Sequence, residues 1–442
     1  MAADPTSRST LRVSLAVPQA RREQAAWALE ALMARVRVTN WELAEGDDDV
    51  DLALPADAAQ WEFAWDREPD AASDPLAFTF WWLARVEEQL APEDAFDEHG
   101  RFRFDRSASA RAPLALPVDD LAERIAADHV LRRAARAPGE PAWRMVATHD
   151  IDLPARWTGV GRRRALRSIR DDLRAGRVGA ALRTAFAYVG GLLPGRDPWD
   201  NFAAITDLER SAGAESTSYL LVGRHASEDG DDELHERGRA WIGDERGAAL
   251  GDRVGLHGSY TSSDTPGRLV AELSELGSRA GASHPDHRFH YLRHRPVDAW
   301  PLLARSGLRS DASLGFAEQP GFRAGTSHPY RAWDHEAGAP LDLVVIPLAL
   351  MDASFDERYL GIRDRAERRR RCIQVLDAIA QRGGCASVLV HNDRLCNRAD
   401  DGWTRLYRGL LHHVRSNGGR ACTAAEAVAE YRNRLPDWRN GA

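Results

Sequence analysis

Two hydrophobic periods alternate along this chain from about residue 140 to residue 435, and together they predict a repeating β/α architecture. Short apolar runs typical of buried strands alternate with longer segments in which apolar residues recur at helical spacing. Glycines end several of the helical segments, for example Gly213 and Gly307. The predicted strands lie at 145–147, 216–222, 253–257, 288–293, 308–313, 341–350 and 385–391. About seven strands alternating with helices predict a parallel, barrel-like α/β domain.

The first 138 residues carry a different pattern, which predicts a smaller N-terminal α/β domain. Its predicted elements are strands at 11–17 and 51–55 and helices at 24–36, 78–89 and 117–136. The segment 137–141 contains two prolines and a glycine, a composition typical of a linker. We therefore expect an N-terminal domain at 1–138 and the barrel domain at 139–442.

Residues 162–188 form an arginine-rich stretch in which basic and apolar side chains are interleaved. The spacing predicts a helical segment. Such a segment either covers the barrel as a solvated helix or lies on a membrane surface or an anionic polymer. We adopt the solvated cover as the working interpretation, because charge runs are usually solvated faces.

Composition excludes several classes of function. All 59 basic residues are arginine, and the chain contains no lysine. Enzymes that need a Schiff-base lysine, and kinases or ATPases that need a phosphate-binding lysine, are therefore excluded. With 43% hydrophobic residues and a net charge of −8, the chain can bury substantial cores and has no basic excess, so we expect no nucleic-acid partner.

Cysteine spacing and apolar runs indicate the compartment. The four cysteines include no C-x-x-C pair, so we interpret them as reduced thiols and expect no cysteine zinc site. The first 21 residues contain no long apolar core of the kind found in signal peptides. The longest apolar run, 343–351, contains Pro347 and is too short to cross a bilayer. We therefore expect a cytoplasmic protein without a membrane span.

Candidate catalytic and metal-binding residues lie at the ends of the predicted strands. Asp150 and Asp152 follow the first barrel strand, where a period of two places both carboxylates on one face. His257 follows the third strand, His290 lies on the fourth and His391 ends the last. Because the carboxyl ends of parallel strands meet at one mouth of a barrel, we expect these side chains to lie close together. Carboxylate and imidazole groups form a ligand set suited to zinc or another borderline divalent ion.

At these positions the chain resembles a known family. The segment 148–152, Thr-His-Asp-Ile-Asp, is similar to the first motif of the NodB-type polysaccharide deacetylases (carbohydrate esterase family four), in the branch whose first motif is Asp-x-Asp. The later motifs resemble the segments 255–260, 292–296 and 388–391, and two further segments of the branch resemble 310–316 and 321–326. The resemblance covers about 140–395.

The resemblance implies a deformed (β/α) barrel that removes N-acetyl or O-acetyl groups from sugars with a bound divalent metal, for which we expect Zn²⁺. Carried over residue by residue, Asp150 is the general base and His391 the general acid. Asp152 and His257 bind the metal. These residue types suit the chemistry, because a metal acidifies its bound water, a carboxylate can accept the proton, and an imidazole can protonate the leaving group.

The chain departs from the family in the second motif, which usually supplies two histidines four residues apart. Thr261 stands where the second histidine would be. We take His290, from the neighbouring strand, as the replacement ligand. The alternative set of His284, His287 and His290 has the spacing of a helix face, but Pro285 and the strand-like residues after it disfavour a helix.

The third motif should supply the arginine that orients the base. Arg293 matches the motif best, although strand parity places it on the face opposite His290. Arg288 shares the parity of His290. We choose Arg293, since strands often twist or bulge near functional sites.

Together these features predict a metal-dependent hydrolase that deacetylates a sugar or a polysaccharide intermediate. Two alternatives remain open. Thr261 motivates a non-catalytic carbohydrate-binding relative that kept the barrel and lost turnover. A barrel hydrolase acting on a non-sugar amide would use the same site, because the metal acts on the carbonyl alone. No oligomeric state is predicted.

Overall fold

The computed structural model of this protein describes residues 10–44, 50–152, 159–191, 199, 201–223, 253–280, 285–395 and 402–435. These residues form two β-sheets with helices packed around them. The smaller sheet belongs to the N-terminal region and the larger one to the predicted barrel.

The N-terminal sheet has three parallel strands, in the order β2-β1-β3. They are β1 (Leu11–Ser14), β2 (Trp41–Leu43) and β3 (Leu52–Ala53). The helices of this region are α1 (Arg22–Arg35), α2 (Pro75–Leu83), α3 (Val86–Leu90) and α4 (Pro117–Asp128). Helix α2 begins where the sequence provides a cap, because the Asp74 carboxylate accepts hydrogen bonds from the N–H groups of Leu76 and Ala77 at 3.1 and 2.8 Å. The predicted smaller α/β unit is therefore present.

The larger sheet contains ten strands within the described residues. They are β4 (Trp143–Ile151), β5 (Thr217–Leu221), β6 (Val254–Gly258), β7 (Asp286–Phe289), β8 (Ser310–Asp311), β9 (Tyr330–Asp334), β10 (Ala339–Val345), β11 (Leu348–Met351), β12 (Cys385–Leu389) and β13 (Gly419–Cys422). Their order is β11-β12-β4-β5-β6-β7-β8-β10-β9, with β13 also on β4, and every pairing is parallel except that of β9 with β10. All the predicted strand regions lie in this sheet, whereas β9 and β13 were not predicted.

The apolar run at 341–350 is broken at Pro347, where the chain passes from one side of this curled sheet to the other. Strand β10 pairs with β8 and β11 pairs with β12, and only Ile346 and Pro347 separate β10 from β11. At the start of β11, the Leu348 N–H donates to the Leu314 carbonyl at 2.9 Å. The single strand predicted at 341–350 is therefore two, because proline lacks the N–H that a continuous ladder needs. The predicted deformed (β/α) barrel with about seven parallel strands is confirmed.

Strand β4 is flanked along its whole length. One edge pairs with β12 over 144–148. The other edge is shared, because β13 pairs with Trp143 to Val146 and β5 pairs with Thr148 to Ile151. Apart from Arg144, every residue of β4 is buried.

The helices after β4 fall into two groups. They are α5 (Gly159–Arg174), α6 (Val178–Gly191), α7 (Phe202–Ser211), α8 (Pro266–Ala280), α9 (Pro296–Arg305), α10 (Arg365–Gln381), α11 (Trp403–Ser416) and α12 (Ala424–Arg432). Helices α7 to α12 pack on the barrel, whereas α5 and α6 pack on each other. A further helix that the sequence predicts at 231–249 lies outside the described residues. Across the described ranges, we find no helix with the length and apolar character needed to cross a membrane.

The N-terminal region and the barrel share one hydrophobic core. The rings of Trp27 and Phe80 lie with their centroids 5.4 and 5.3 Å from that of Trp333 on β9. Nearby, Glu88 and Arg323 form a buried ion pair at 2.6 Å. The sequence boundary near residue 138 therefore separates two regions joined by extensive buried contacts.

Candidate functional site

The carboxyl end of β4 carries the acid pair. His149 points outward, where its Nε2 lies 2.9 Å from a carboxylate oxygen of Glu209 on α7. Asp150 and Asp152 point the opposite way, into the mouth of the barrel, and both face His257. The period of two therefore continues through Asp152, as the sequence predicts.

Asp152, His257 and His290 form a candidate metal site. Their ligand atoms all lie within 4.8 Å of one another. Asp152 Oδ1 is 3.1 Å from His257 Nε2, and Asp152 Oδ2 is 3.5 Å from His290 Nε2. Two ligands held about 2.0–2.2 Å from a tetrahedral ion lie about 3.3–3.6 Å apart, so these separations suit one shared ion. The structure thus brings together the three residues that the sequence selected as ligands.

The hydrogen bonding of His257 tests whether a metal fits. Its Nδ1 lies 3.0 Å from the Arg288 carbonyl oxygen, which can only accept, so Nδ1 carries a proton and a neutral ring offers a lone pair at Nε2. This Nε2 and Asp152 Oδ1 are both buried, and within the described part of the chain neither has a hydrogen-bond partner. Two buried lone pairs at this separation repel unless a proton or a metal ion lies between them. Two imidazoles and a carboxylate fit Zn²⁺ or a similar divalent ion.

The neighbouring imidazoles also set the charge of Asp152. Burial alone would raise the pKa of Asp152, but His290 and His257 in their protonated form hold that pKa well below its ordinary value. The carboxylate is therefore ionised at neutral pH, which is the form that binds a cation.

Arg288 fixes the orientation of Asp150. One guanidinium nitrogen donates to Asp150 Oδ1 at 3.0 Å and to Thr148 Oγ1 at 2.8 Å. Another donates to Ser387 Oγ at 2.8 Å. The Arg288 side chain is inaccessible to solvent. With Oδ1 held in this way, Asp150 Oδ2 is the oxygen that lies 3.7 Å from His257 Nε2.

The choice of Arg293 as the orienting arginine is wrong. Its guanidinium donates to the Tyr260 carbonyl at 2.9 Å and to the Asp264 carboxylate at 2.9 Å, and it lies over the Tyr260 ring. Strand β7 ends at Phe289 without a bulge that would reverse its parity. Parity along β7, which favoured Arg288, was therefore the better signal than the motif match.

His391 lies after the end of β12 and is held by Asp352. The imidazole Nδ1 is 2.6 Å from Asp352 Oδ1, and the His391 backbone N–H donates to Asp352 Oδ2 at 2.9 Å. The Nε2 atom faces the mouth, 3.8 Å from Asp152 Oδ2. Burial alone would lower the pKa of His391, but the Asp352 carboxylate raises it to about 10.

Sequence reasoning missed Asp352. This residue follows the apolar run of β11 and is fully buried. It has the same signature as Asp150, a carboxylate at the end of a buried strand. That signal is present in the sequence, but Asp352 lies outside all the segments that resemble the motifs of the deacetylases.

The alternative ligand set on a helix face is excluded. His287 lies on strand β7, where successive side chains alternate, and its Nδ1 is 3.4 Å from Asp311 on β8. His284 lies outside the described residues. Thr261, at the position of the missing histidine, is hydrogen-bonded to Arg268 on α8. His290 is therefore the second imidazole beside Asp152.

The acids and histidines line a cavity of about 220 Å³. Its wall includes Arg101 from the N-terminal region, together with Tyr291 and Tyr359. Arg358 and Arg394 also line it. The cavity is polar and large enough for a sugar-sized group, and the N-terminal region completes one side of it.

No protein-family model and no curated protein matches the chain. Among solved structures, it is similar to a Mycobacterium smegmatis protein described as a polysaccharide deacetylase, with 16% identity and a TM-score of 0.43 over 68% of this chain and 94% of the other. It is also similar to Puue allantoinase, with 12% identity and a TM-score of 0.46 over 68% and 93%. A Pseudomonas aeruginosa PAO1 protein described as a polysaccharide deacetylase gives 14% identity and a TM-score of 0.44 over 69% and 96%. Two of the three carry the name of the family that the sequence motifs resemble.

The geometry predicts one zinc ion per chain, bound by Asp152, His257 and His290. Replacing any of the three with alanine should weaken zinc binding by more than about 100-fold, since even changes to supporting residues cost 10–100-fold. Zinc content after dialysis and the Kd from chelator competition measure this. His413→Ala is the control, because that imidazole binds Asp377 on α10, away from the mouth. Equal zinc in all four variants and the wild type would reject the site.

Proposed function

We propose that this protein is a metal-dependent hydrolase that removes the acetyl group from an N-acetylated or O-acetylated sugar or polysaccharide precursor. The observation that carries the proposal is the arrangement of Asp152, His257 and His290 around one point, with Asp150 and His391 beside it. The motif resemblance supplies the substrate class. The size and polarity of the cavity are compatible with a sugar.

The three ligands would hold the ion, and Zn²⁺ is the metal that best suits them. When bound, such an ion lowers the pKa of a coordinated water from about 15.7 to about 7 and polarises the acetyl carbonyl. All remaining tasks fall to side chains of this chain. They are to accept a proton from water, to supply one to the leaving group and to hold the acetylated sugar in place.

Asp150 is the general base in this proposal. Arg288 occupies its Oδ1, so Oδ2 is left to face the metal ligands. A carboxylate fixed in this way can take the proton of the attacking water without first reorienting, which lowers the cost of the step.

His391 is the general acid. Asp352 binds its Nδ1, so the proton available for transfer sits on Nε2, which faces the cavity. An imidazolium in this position can protonate the departing amine or alcohol of the sugar. Asp352 also stabilises the charged ring, so His391 begins the reaction in its acid form.

Acetate release from soluble N-acetylglucosamine oligomers and from acetylated sugar precursors tests the proposal. Asp150→Asn and His391→Ala should each lower kcat/KM by about 10²–10⁴, the usual contribution of general acid–base catalysis, while zinc content stays unchanged. His413→Ala again serves as control. Wild-type rates in both catalytic variants would contradict the assigned roles. Saturable binding of the oligomers without acetate release would favour the non-catalytic carbohydrate-binding alternative.

The pH dependence offers an independent check. His391 acts in its protonated form, so wild-type kcat/KM should persist into the alkaline range and fall as the pH passes about 10, where the ring loses its proton. Asp352→Asn removes the carboxylate that raises this pKa, and the alkaline limb should move toward the ordinary histidine value of about 6.5. Asp377→Asn, which changes a carboxylate beside His413, should leave the profile unchanged. An alkaline limb at the same pH in wild type and Asp352→Asn would show that His391 is not the acid.

A further inference from the structure

Helices α5 and α6 form a hairpin, residues 159–191, in the connection between β4 and β5. Helix α5 starts shortly after Asp152, and α7, which leads back toward β5, starts after α6. The turn between the two helices passes through Gly176, whose φ is +70°. The whole hairpin is therefore inserted where the chain leaves the candidate site.

The hairpin exposes apolar side chains that a soluble helix pair normally buries. On α6, Val178, Leu182, Phe186 and Val189 are 54, 51, 74 and 64% exposed. Their spacing places them on one face of the helix. On α5, Leu166 and Leu173 are each 52% exposed. The working interpretation of a solvated helix does not account for these exposed apolar side chains.

The hairpin also differs from the rest of the protein in charge. It contains eight arginines and two aspartates, whereas the chain as a whole has a net charge of −8. Both aspartates are already paired, Asp171 with Arg170 at 3.0 Å and Asp172 with Arg177 at 2.8 Å. With eight arginines against two aspartates, this element has a local positive charge on an acidic protein.

We propose that the hairpin docks on an anionic membrane surface. Lipid headgroups with negative charge complement the arginines, and the acyl boundary beneath them accepts the exposed leucine, valine and phenylalanine side chains. A polyanion such as nucleic acid would satisfy the arginines alone and leave the apolar stripe in water. A second copy of the hairpin would bring like charges together. If the proposed function holds, the acetylated sugar reaches the mouth from a membrane surface.

The full chain should bind vesicles containing phosphatidylglycerol at least tenfold more tightly than vesicles of phosphatidylcholine alone, and high salt should weaken this binding. An apolar variant combines Leu182→Gln, Phe186→Gln and Val189→Gln, since glutamine keeps the helix propensity. A charge variant combines Arg167→Gln, Arg174→Gln and Arg183→Gln. Each should lose at least tenfold in cosedimentation.

A matched control replaces exposed apolar residues elsewhere, Leu90→Gln and Val130→Gln, and should bind vesicles like the wild type. Circular dichroism shows whether each variant keeps its helices. Acetate release from a soluble oligomer should be unchanged in both hairpin variants, so the docking proposal and the proposed function fail separately. The docking proposal is overturned if the wild type shows no preference for anionic vesicles, or if the apolar variant binds them as the wild type does.

His290 begins a turn that has an unusual backbone conformation. The next two residues, Tyr291 and Leu292, have φ values of 60° and 55°, a left-handed conformation that side chains disfavour. Arg101 of the N-terminal region donates to the Tyr291 carbonyl at 3.1 Å. Arg101 is itself buried, and its Nε donates to Asp97 at 2.7 Å. The Arg101 guanidinium is therefore held in place by Asp97, and it binds the backbone of the turn directly after His290, a proposed metal ligand.

We infer that Arg101 is a positioning residue that holds His290 toward Asp152. This inference rests on the proposed metal site. With Thr261 in place of the usual second histidine, the imidazole comes from His290, which joins the end of β7 to the left-handed residues and lies 3.5 Å from Asp152 Oδ2 through its Nε2. The N-terminal region thereby supports the site without contacting the reacting atoms.

Zinc affinity measures this role directly. Arg101→Gln should weaken zinc binding by about 10–100-fold, as expected for a residue that orients a ligand. Arg103→Gln, in the same segment but paired with Asp105, should have no effect. Adding Tyr291→Asn to Arg101→Gln should recover about threefold or more, because asparagine adopts the left-handed conformation more readily.

Arg101→Lys provides a second variant if Arg101→Gln does not fold. Lysine keeps a positive charge beside Asp97. It lacks the planar guanidinium that donates to the Asp97 carboxylate and the Tyr291 carbonyl at once, so this variant should also weaken zinc binding. Failure of the wild type to bind zinc would reject the metal site itself. Normal zinc affinity in a folded Arg101 variant, or no recovery with Tyr291→Asn, would reject the role of Arg101 alone.

Discussion

A buried guanidinium at the centre of the barrel connects the sheet to the chemistry. Arg288 bonds Asp150 and Thr148 on β4. It also bonds Ser387 on β12 and the Ala312 carbonyl just beyond β8. A cation cut off from solvent is tolerated only when paired and hydrogen-bonded in this way. The contacts that satisfy the charge also fix which oxygen of Asp150 faces the mouth, so barrel packing and orientation of the base depend on one interaction.

The candidate metal group shows how a barrel can exchange one ligand source for another. Asp152 and His257 come from strand ends, as a parallel barrel dictates. The second imidazole comes from the residue just after the adjoining strand, and the next two residues, Tyr291 and Leu292, have a left-handed backbone. Because all strand ends converge on one mouth, a neighbouring strand can supply the missing group. The cost is an unfavourable backbone conformation that residues outside the barrel help to hold.

The sequence predicted the elements of this site whose signals are local. Strand periodicity placed Asp150 and Asp152 on one face, and strand-end positions brought His257 and His290 beside them. Arg293 was chosen by motif similarity against the parity of its own strand, and parity proved the better guide. Asp352 resembled any turn-forming acid, since its partner becomes visible only when β11 and β12 are adjacent. No periodic pattern in the sequence marks contacts such as these, because the two residues are far apart along the chain.

The same limit applies to the fold. Alternating helices and strands predicted the barrel, but a short antiparallel strand and a terminal strand carried too little apolar pattern to be recognised. The break at Pro347 lay inside a run that reads as one buried strand, and only the two different pairing partners reveal it. Nor did composition indicate that the N-terminal region would line the cavity through Arg101.

The shared edge of β4 has a mechanical consequence. Because β12 lies on one side and β13 and β5 divide the other, the strand that bears Asp150 has little freedom to shift. Asp152 and His290, in contrast, each lie one residue beyond the end of their strand, and Arg101 holds the turn after His290 from outside the barrel. The carboxylate of Asp150 is thus oriented by the sheet itself, whereas the orientation of these two residues depends on contacts made after the strands have ended.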